Sequence, residues 1–321
     1  MEYTFSTTPE NSEQSAIAKI TFKDKKKKGM LIYLNSDGQS EIDLKKDKVD
    51  LFYEFISEKS LRLSQKHLDE LKSSIEQDDE PMTKQLKPIY EKFQIYHKEN
   101  NELKSDDGTF EPLPIKLTKG KRDSIYLAGS SGSGKSYWIS EYAKNFNQLL
   151  GTKAPIYFIS SKKLKDEECY NSVKNIKQLS LDPEFLESIT ADGNAFEHFA
   201  SSHGSLVIFD DAEALSKKQQ EYVDLILESI LQIGRSKNIY CIISRHILNN
   251  GFKTKVIFNE INKLVVFPHG ISRYNLEYCL KNYIGFDKQM IRKLFSLKSR
   301  SVLIHTHLPK YCIAEHNIIL M

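Results

Sequence analysis

The chain is poor in the features that staple or anchor a fold. It has four cysteines in 321 residues. Cys169, Cys241, Cys279 and Cys312 form no C-x-x-C pair, which argues against a zinc or dithiol redox site and for a reducing compartment. There is no run of about 18 apolar residues, so no membrane insertion is expected. The opening MEYTFSTTPENSEQ has no basic patch leading into an apolar stretch, so no signal peptide is expected and the location reads as cytoplasmic. Neither sign of charge dominates: 46 Lys and Arg against 43 Asp and Glu leave +3. That balance neither demands nor excludes nucleic acid, because a protein tracking a phosphate backbone needs only a local basic surface. Internal repeats and low-complexity tracts are also missing. The length suits one large domain, or a core with an appendage.

The texture changes near residue 115. Residues 1–115 read as a charge-rich, mostly helical appendage. Its first 15 residues are polar. The basic run Lys23–Lys28, broken by Asp24, reads either as a solvated loop between two strands or as a phosphate contact. GMLIYLN alternates weakly, like a strand. DKVDLFYEFIS, SQKHLDELKSSIEQ and TKQLKPIYEKFQIYHKEN are amphipathic helical patterns, and Ser64 is placed to cap the second with an incomplete capping box. NELKSDDGTFEPLP reads as a polar linker.

Residues 116–321 alternate short apolar runs with helical patterns. SIYLAG, PIYFIS, SLVIFDD, NIYCIIS and KLVVFP are strands of the kind buried on both faces. Helices over 135–150 and about 215–233 lie between them. The expected fold is α/β, a P-loop NTPase with a mainly parallel central sheet flanked by helices. SVLIHTH and YCIAEH read as a terminal hairpin.

The chemistry begins at Gly129-Ser130-Ser131-Gly132-Ser133-Gly134-Lys135-Ser136. The pattern G-x-x-x-x-G-K-[ST] is common by chance, but here it follows a strand and opens a helix, the context it requires. The glycines let backbone N–H groups wrap a phosphate, and the helix adds its positive end. Lys135 supplies a cation for the β- and γ-phosphates, Ser136 a hydroxyl for Mg²⁺, and Tyr137 follows directly. ATP and Mg²⁺ are the expected ligands. Trp138 and Tyr142 read as core.

SLVIFDDAEAL ends a strand in Asp210 and Asp211. Asp210 is the expected Mg²⁺ acid. Asp211 is the expected base for the attacking water, with Glu213 as fallback. NIYCIIS then runs into Arg245-His246. Ser244 and His246 are candidate γ-phosphate sensors, and Arg245 is a candidate for reaching a neighbouring subunit. Arg235, in ILQIGRSKNI, reads either as an arginine finger acting in trans or as a helix C-terminal cation. Arg273 and Arg300 raise the same question less strongly.

With these pieces in this order, the sequence resembles the genome-packaging ATPases of large eukaryotic DNA viruses, poxvirus-type, and their virophage and polinton relatives, within the FtsK–HerA superfamily. GSSGSGKS, SSKKLKDEECYNSV, the strand ending Asp210-Asp211, GRSKNIYCIISRH, FPHGISRYNLEYCL and SLKSRSVLIHTHLPKYCIAEH carry the resemblance, over roughly residues 115–321. One departure is that the superfamily often ends its sensor strand with Gln, where this chain has Ser244-Arg245-His246. The resemblance implies a RecA-like ATPase that forms a homo-oligomeric ring, a hexamer, and threads double-stranded DNA into a preformed capsid. It also implies capsid or portal partners and a place in the virus factory or the virion. A P-loop kinase and a nucleotide-binding scaffold remain the competing readings.

Overall fold

The computed structural model describes residues 3–36, 48–77, 79–99, 102–249 and 251–321. Asp47, Asn100 and Asn101, which end stretches read above as helix or linker, lie outside the described residues. In chain order come β1 (Thr4–Ser6), β2 (Ala18–Phe22), β3 (Met30–Asn35), α1 (Lys48–Glu58), α2 (Gln65–Gln77), α3 (Lys87–Glu99), β4 (Glu102–Lys104) and β5 (Gly108–Pro112). Then follow β6 (Ser124–Ala128), α4 (Lys135–Leu150), β7 (Ile156–Ser160), β8 (Ile176–Gln178), α5 (Pro183–Thr190), β9 (Ser205–Asp210), α6 (Lys217–Ile233) and β10 (Ile239–Arg245). The chain closes with α7 (Phe252–Glu260), β11 (Lys263–Val266), α8 (Arg273–Cys279), α9 (Lys288–Ser296), β12 (Val302–His305), β13 (Tyr311–Ile313) and β14 (Asn317–Leu320).

Among the described residues the main sheet has ten strands in the order β4-β14-β13-β12-β11-β6-β10-β9-β7-β8. The stretch β11-β6-β10-β9-β7-β8 is parallel. β12, β13, β14 and β4 extend it antiparallel. This is the expected α/β P-loop NTPase fold. The central strands are apolar throughout because both faces are covered. Successive side chains alternate between faces, so Tyr126 and Ala128 enter the core under α5, α6 and α7 while Ile125 and Leu127 enter the core under α4. Parallel pairing aligns the C-terminal ends of β6, β10, β9 and β7 along one edge, where ligands of open α/β sheets bind.

The N-terminal part differs from the expected helical appendage. β1, β3, β2 and β5 form a four-stranded antiparallel sheet. Phe5, Ala18, Ile20, Ile32 and Phe110 from it share one core with Tyr142, Phe146, Phe158 and Tyr240 of the α/β fold, so residue 115 is no boundary in the packing. The three expected helices do form, around a separate core of Leu51, Phe52, Phe55, Leu71, Ile75, Leu86, Tyr90, Phe93 and Tyr96. Their weak apolar stripes are enough for this because they bury against one another. The stretch read as a linker contains β4 and β5, which belong to different sheets. The loop Lys23–Lys28 does join two strands. Lys27 there pairs with Asp107 beside β5 (2.5 Å).

Candidate active site

The loop Gly129–Ser136 joins β6 to α4. Gly132 and Gly134 have φ of 74° and 107°, a region that side chains with a Cβ avoid. At Gly134 a Cβ would also lie 2.9 Å from the Arg300 guanidinium. Among the described residues no side chain caps α4, whereas α6 carries a complete Ser216–Gln219 capping box and α9 is capped by Asp287. α5, α7 and α8 lack a side-chain cap too, but α4 opens from the glycine loop, where an anion suits its first-turn amides.

The loop is braced from outside. Its Gly129 N–H donates to the Arg245 carbonyl (3.2 Å) and its Ser130 N–H to the Gly270 carbonyl (3.1 Å). Arg300 donates through Nε to the Ser133 carbonyl (2.8 Å) and through a second nitrogen to the Gly132 carbonyl (3.4 Å). Arg300 is therefore occupied with its own chain's phosphate loop.

Lys135 is buried at the loop's centre. Its ammonium donates to the carbonyls of Gly129 (2.8 Å) and Ser130 (3.2 Å) and lies 3.2 Å from His246 Nδ1. A lysine can only donate, so Nδ1 accepts and the imidazole proton sits on Nε2. Nε2 is 2.9 Å from Asp211 Oδ1. The other Asp211 oxygen is 2.8 Å from Lys162 Nζ, which is itself 3.6 Å from Glu167. A chain of polar contacts thus runs Lys135–His246–Asp211–Lys162–Glu167 across the ends of β6, β10, β9 and β7. Burial pushes the Lys135 ammonium down, opposed by Asp211 and Asp210. The bond to Asp211 pushes Lys162 up.

Asp210 and Ser244 face each other in the β9–β10 register. Asp210 is fully buried, and neither of its carboxylate oxygens has a hydrogen-bond partner. Burial pushes its carboxyl up. Asp211 has φ of 48°, a left-handed conformation that Asp tolerates better than most residues. It turns the chain out of the sheet just where its carboxylate meets Lys162 and His246. Tyr126 of β6 donates to the Ile247 carbonyl (2.9 Å) and fixes the segment after His246.

Other expected residues lie apart. Glu213 pairs with Arg245 (3.2 Å), which is also 4.0 Å from Asp224 on α6, so Arg245 is engaged within its own chain. Arg235 is exposed in the turn between α6 and β10, at the opposite end of β10 from Ser244. Arg273 pairs with Glu277 and lies over the Phe295 ring. Tyr137 is exposed, while Trp138 stacks on buried Tyr142 at 5.6 Å. All four cysteines are free thiols, and burial pushes the Cys241 thiol up to about 12.

Among the described residues no cage of three or more His, Cys, Asp or Glu gathers to hold a metal. A magnesium ion bound through nucleotide phosphates needs no such cage. The half-buried Ser136 hydroxyl and the unpartnered Asp210 oxygens fit that role. No helix among the described residues is long and apolar enough to cross a membrane.

No protein-family model matches the sequence. An uncharacterized protein, V3, of Sputnik virophage is 32% identical over 222 residues, covering 68% of this chain and 84% of that protein. The chain belongs to the family of virophage protein V3. The resemblance to virophage relatives read from the motifs agrees with that membership. Two solved structures are remotely similar to this V3-family chain. One is the genome packaging NTPase B204 from Sulfolobus turreted icosahedral virus 2 in complex with ATP-gammaS, at 16% identity, 58% and 92% coverage of the two chains and a TM-score of 0.36. The other is the pCW3 conjugation coupling protein TcpA with ATPgS, at 15%, 95% and 77%, and 0.43.

Two residues of this V3-family site escaped the motif search. Lys162 follows β7 by two positions, and the one signal was a cation just past a buried strand. Arg300 raises from sequence only the choice between a finger and a helix-end cation, because nothing local connects it to a loop 167 residues away.

Proposed function

We propose that the chain hydrolyses ATP to translocate double-stranded DNA, and that its task is packaging viral DNA into capsids. One observation carries the reading: an uncapped helix end, a buried lysine, an unpartnered buried acid and a second acid converge at the ends of adjacent parallel strands. Membership of a virophage family supports the viral setting.

In the proposed reaction the α4 amides and the loop N–H groups bind the β- and γ-phosphates of ATP. Lys135 exchanges its carbonyl partners for phosphate oxygens and holds the charge that spreads over the γ-phosphoryl group. Magnesium, held near Ser136 and Asp210, would supply further charge neutralisation. Asp211 orients a water and takes its proton as the water oxygen bonds to γ-phosphorus and the bond to the ADP oxygen breaks. Once Lys135 turns to the phosphate, His246 loses a partner, which suits it to report the γ-phosphate to Asp211. Arg235, exposed and remote from its own site, suits a finger presented to the next subunit of a homo-oligomeric ring. A hexamer, capsid or portal partners, and a cytoplasmic virus factory complete the proposal.

The test is phosphate release with and without linear duplex DNA. Lys135→Ala and Asp211→Asn are each expected to lower the DNA-stimulated rate by about a hundredfold or more. Hydrolysis that ignores DNA in the assembled protein would overturn translocation and leave an NTPase. Activity surviving Lys135→Ala would overturn the site itself.

A further inference from the structure

Asp211 offers neither oxygen freely to water: Oδ1 is buried against His246 without a hydrogen bond, and Oδ2 accepts one from Lys162. A carboxylate that must orient water and accept its proton needs a free lone pair facing the γ-phosphate. Here one oxygen is 2.9 Å from His246 and the other 2.8 Å from Lys162. His246 belongs to the phosphate side of the site through its contact with Lys135. Lys162 belongs to the other side. It sits on the segment that leaves β7 and passes through two short turns, Leu164–Asp166 and Glu168–Tyr170, on its way to β8.

The side chains differ in how they are held. Asp211 is 10% exposed, while Lys162 is 44% exposed and contacts a second acid, Glu167, at 3.6 Å. A lysine whose side chain is this exposed is open to exchange one anion for another. Lys163 and Lys165, exposed on the same short segment, add charge of the same sign at its start, while Asp166, Glu167 and Glu168 follow on its far side. Phosphate groups of a nucleic-acid backbone are the anions that such a cluster attracts without reading sequence.

We propose that Lys162 is a restraining positioning residue: it keeps Asp211 from activating water until backbone phosphates of nucleic acid docked on residues 162–165 draw its ammonium away. The inference rests on the reading of Asp211 as the base. Nucleic acid then accelerates hydrolysis by freeing an acid already in place, with no need to build a site. Asp211 already stands at the end of β9 among the other groups of the site, so that releasing one contact is a small change. Glu167 offers the displaced ammonium a second resting place inside the protein, which makes the restraint reversible.

The experiment compares phosphate release by wild type, Lys162→Gln and Lys162→Arg, each with and without duplex DNA, with Asp211→Asn as reference. Thermal melting of each variant is measured in parallel. Lys162→Gln is expected to raise the DNA-free rate about two- to fivefold, the range for loss of one partly screened ion pair, and to blunt further stimulation by DNA. Lys162→Arg, which keeps the charge, is expected to keep the low DNA-free rate. A merely structural role predicts lower melting and lower rates in both variants, with no rescue by Arg. A DNA-free rate in Lys162→Gln at or below wild type overturns the restraint, as does an undiminished fold-stimulation by DNA. If Asp211→Asn keeps full activity, the base assignment fails first, independently of Lys162.

Discussion

Replacing Asp210 by Asn separates what this residue does for catalysis from what it costs the fold. The side chain is fully buried, and neither oxygen has a hydrogen-bond partner. Leaving a buried polar group unsatisfied costs about 1–3 kcal/mol, and more when the group is charged. An amide of the same shape carries no charge, and its NH₂ has the unpartnered Ser244 hydroxyl across the register as an acceptor. Asp210→Asn is therefore expected to stabilise the nucleotide-free protein by about 1–3 kcal/mol near neutral pH. At about 2–4 °C per kcal/mol for a domain of this size, the melting temperature should rise by several degrees. The pH dependence follows from the sign of the shift. The folded-state carboxyl is raised above its unfolded value by burial, so the native state holds its proton more tightly than the unfolded state. The penalty is absent below the unfolded value of about 3.9, grows as pH rises from there toward the folded value, and is constant above it. The gap in melting temperature between variant and wild type should thus narrow as pH falls toward 4. The assay is thermal melting from pH 4.5 to 8 without nucleotide, with magnesium-dependent phosphate release measured alongside and expected to collapse. A variant less stable than wild type, or a gap that does not change with pH, refutes the reasoning.

Other outcomes follow from the same geometry. Arg300→Ala removes the brace on the Gly132 and Ser133 carbonyls and is expected to raise KM for ATP about three- to tenfold with kcat little changed. A loss confined to kcat would show that Arg300 acts on the reaction and not on the loop. Ile32→Ala, in the N-terminal sheet and far from the phosphate loop in sequence, should destabilise the whole chain by about 2–5 kcal/mol because Ile32 lies in the core shared with α4. Chemical denaturation in one transition is the expected readout, and an unchanged midpoint would mean that the small sheet is dispensable.

The central strands were legible because burial on both faces writes a continuous apolar run, as in Ile156–Ser160 and Ser205–Asp210. The phosphate loop was legible because its backbone geometry forces glycine spacing. The N-terminal sheet was not. β1 is three residues long, and β2 finds partners in Met30–Ile32 and, about 90 residues on, in Gly108–Pro112. Pairings so distant leave no local period to read. In the site, Lys135, Asp210 and Asp211 are tied to elements that a motif can describe. Lys162 and Arg300 owe their roles to neighbouring strands and to a chain return, which only the folded sheet brings together.

The position of β4 bears on any attempt to isolate the P-loop domain. This strand pairs with β14 and covers what would otherwise be the outer edge of the main sheet. A chain cut at residue 115 would lose β4 and bare the unpaired N–H and C=O groups along Asn317–Leu320, beside the buried side chains of Ile318 and Ile319. Such an open edge recruits strands from other molecules. Trimming the N-terminal segment to study hydrolysis alone would therefore yield a chain prone to clumping edge to edge, and its inactivity would say little about what those residues do in the cell.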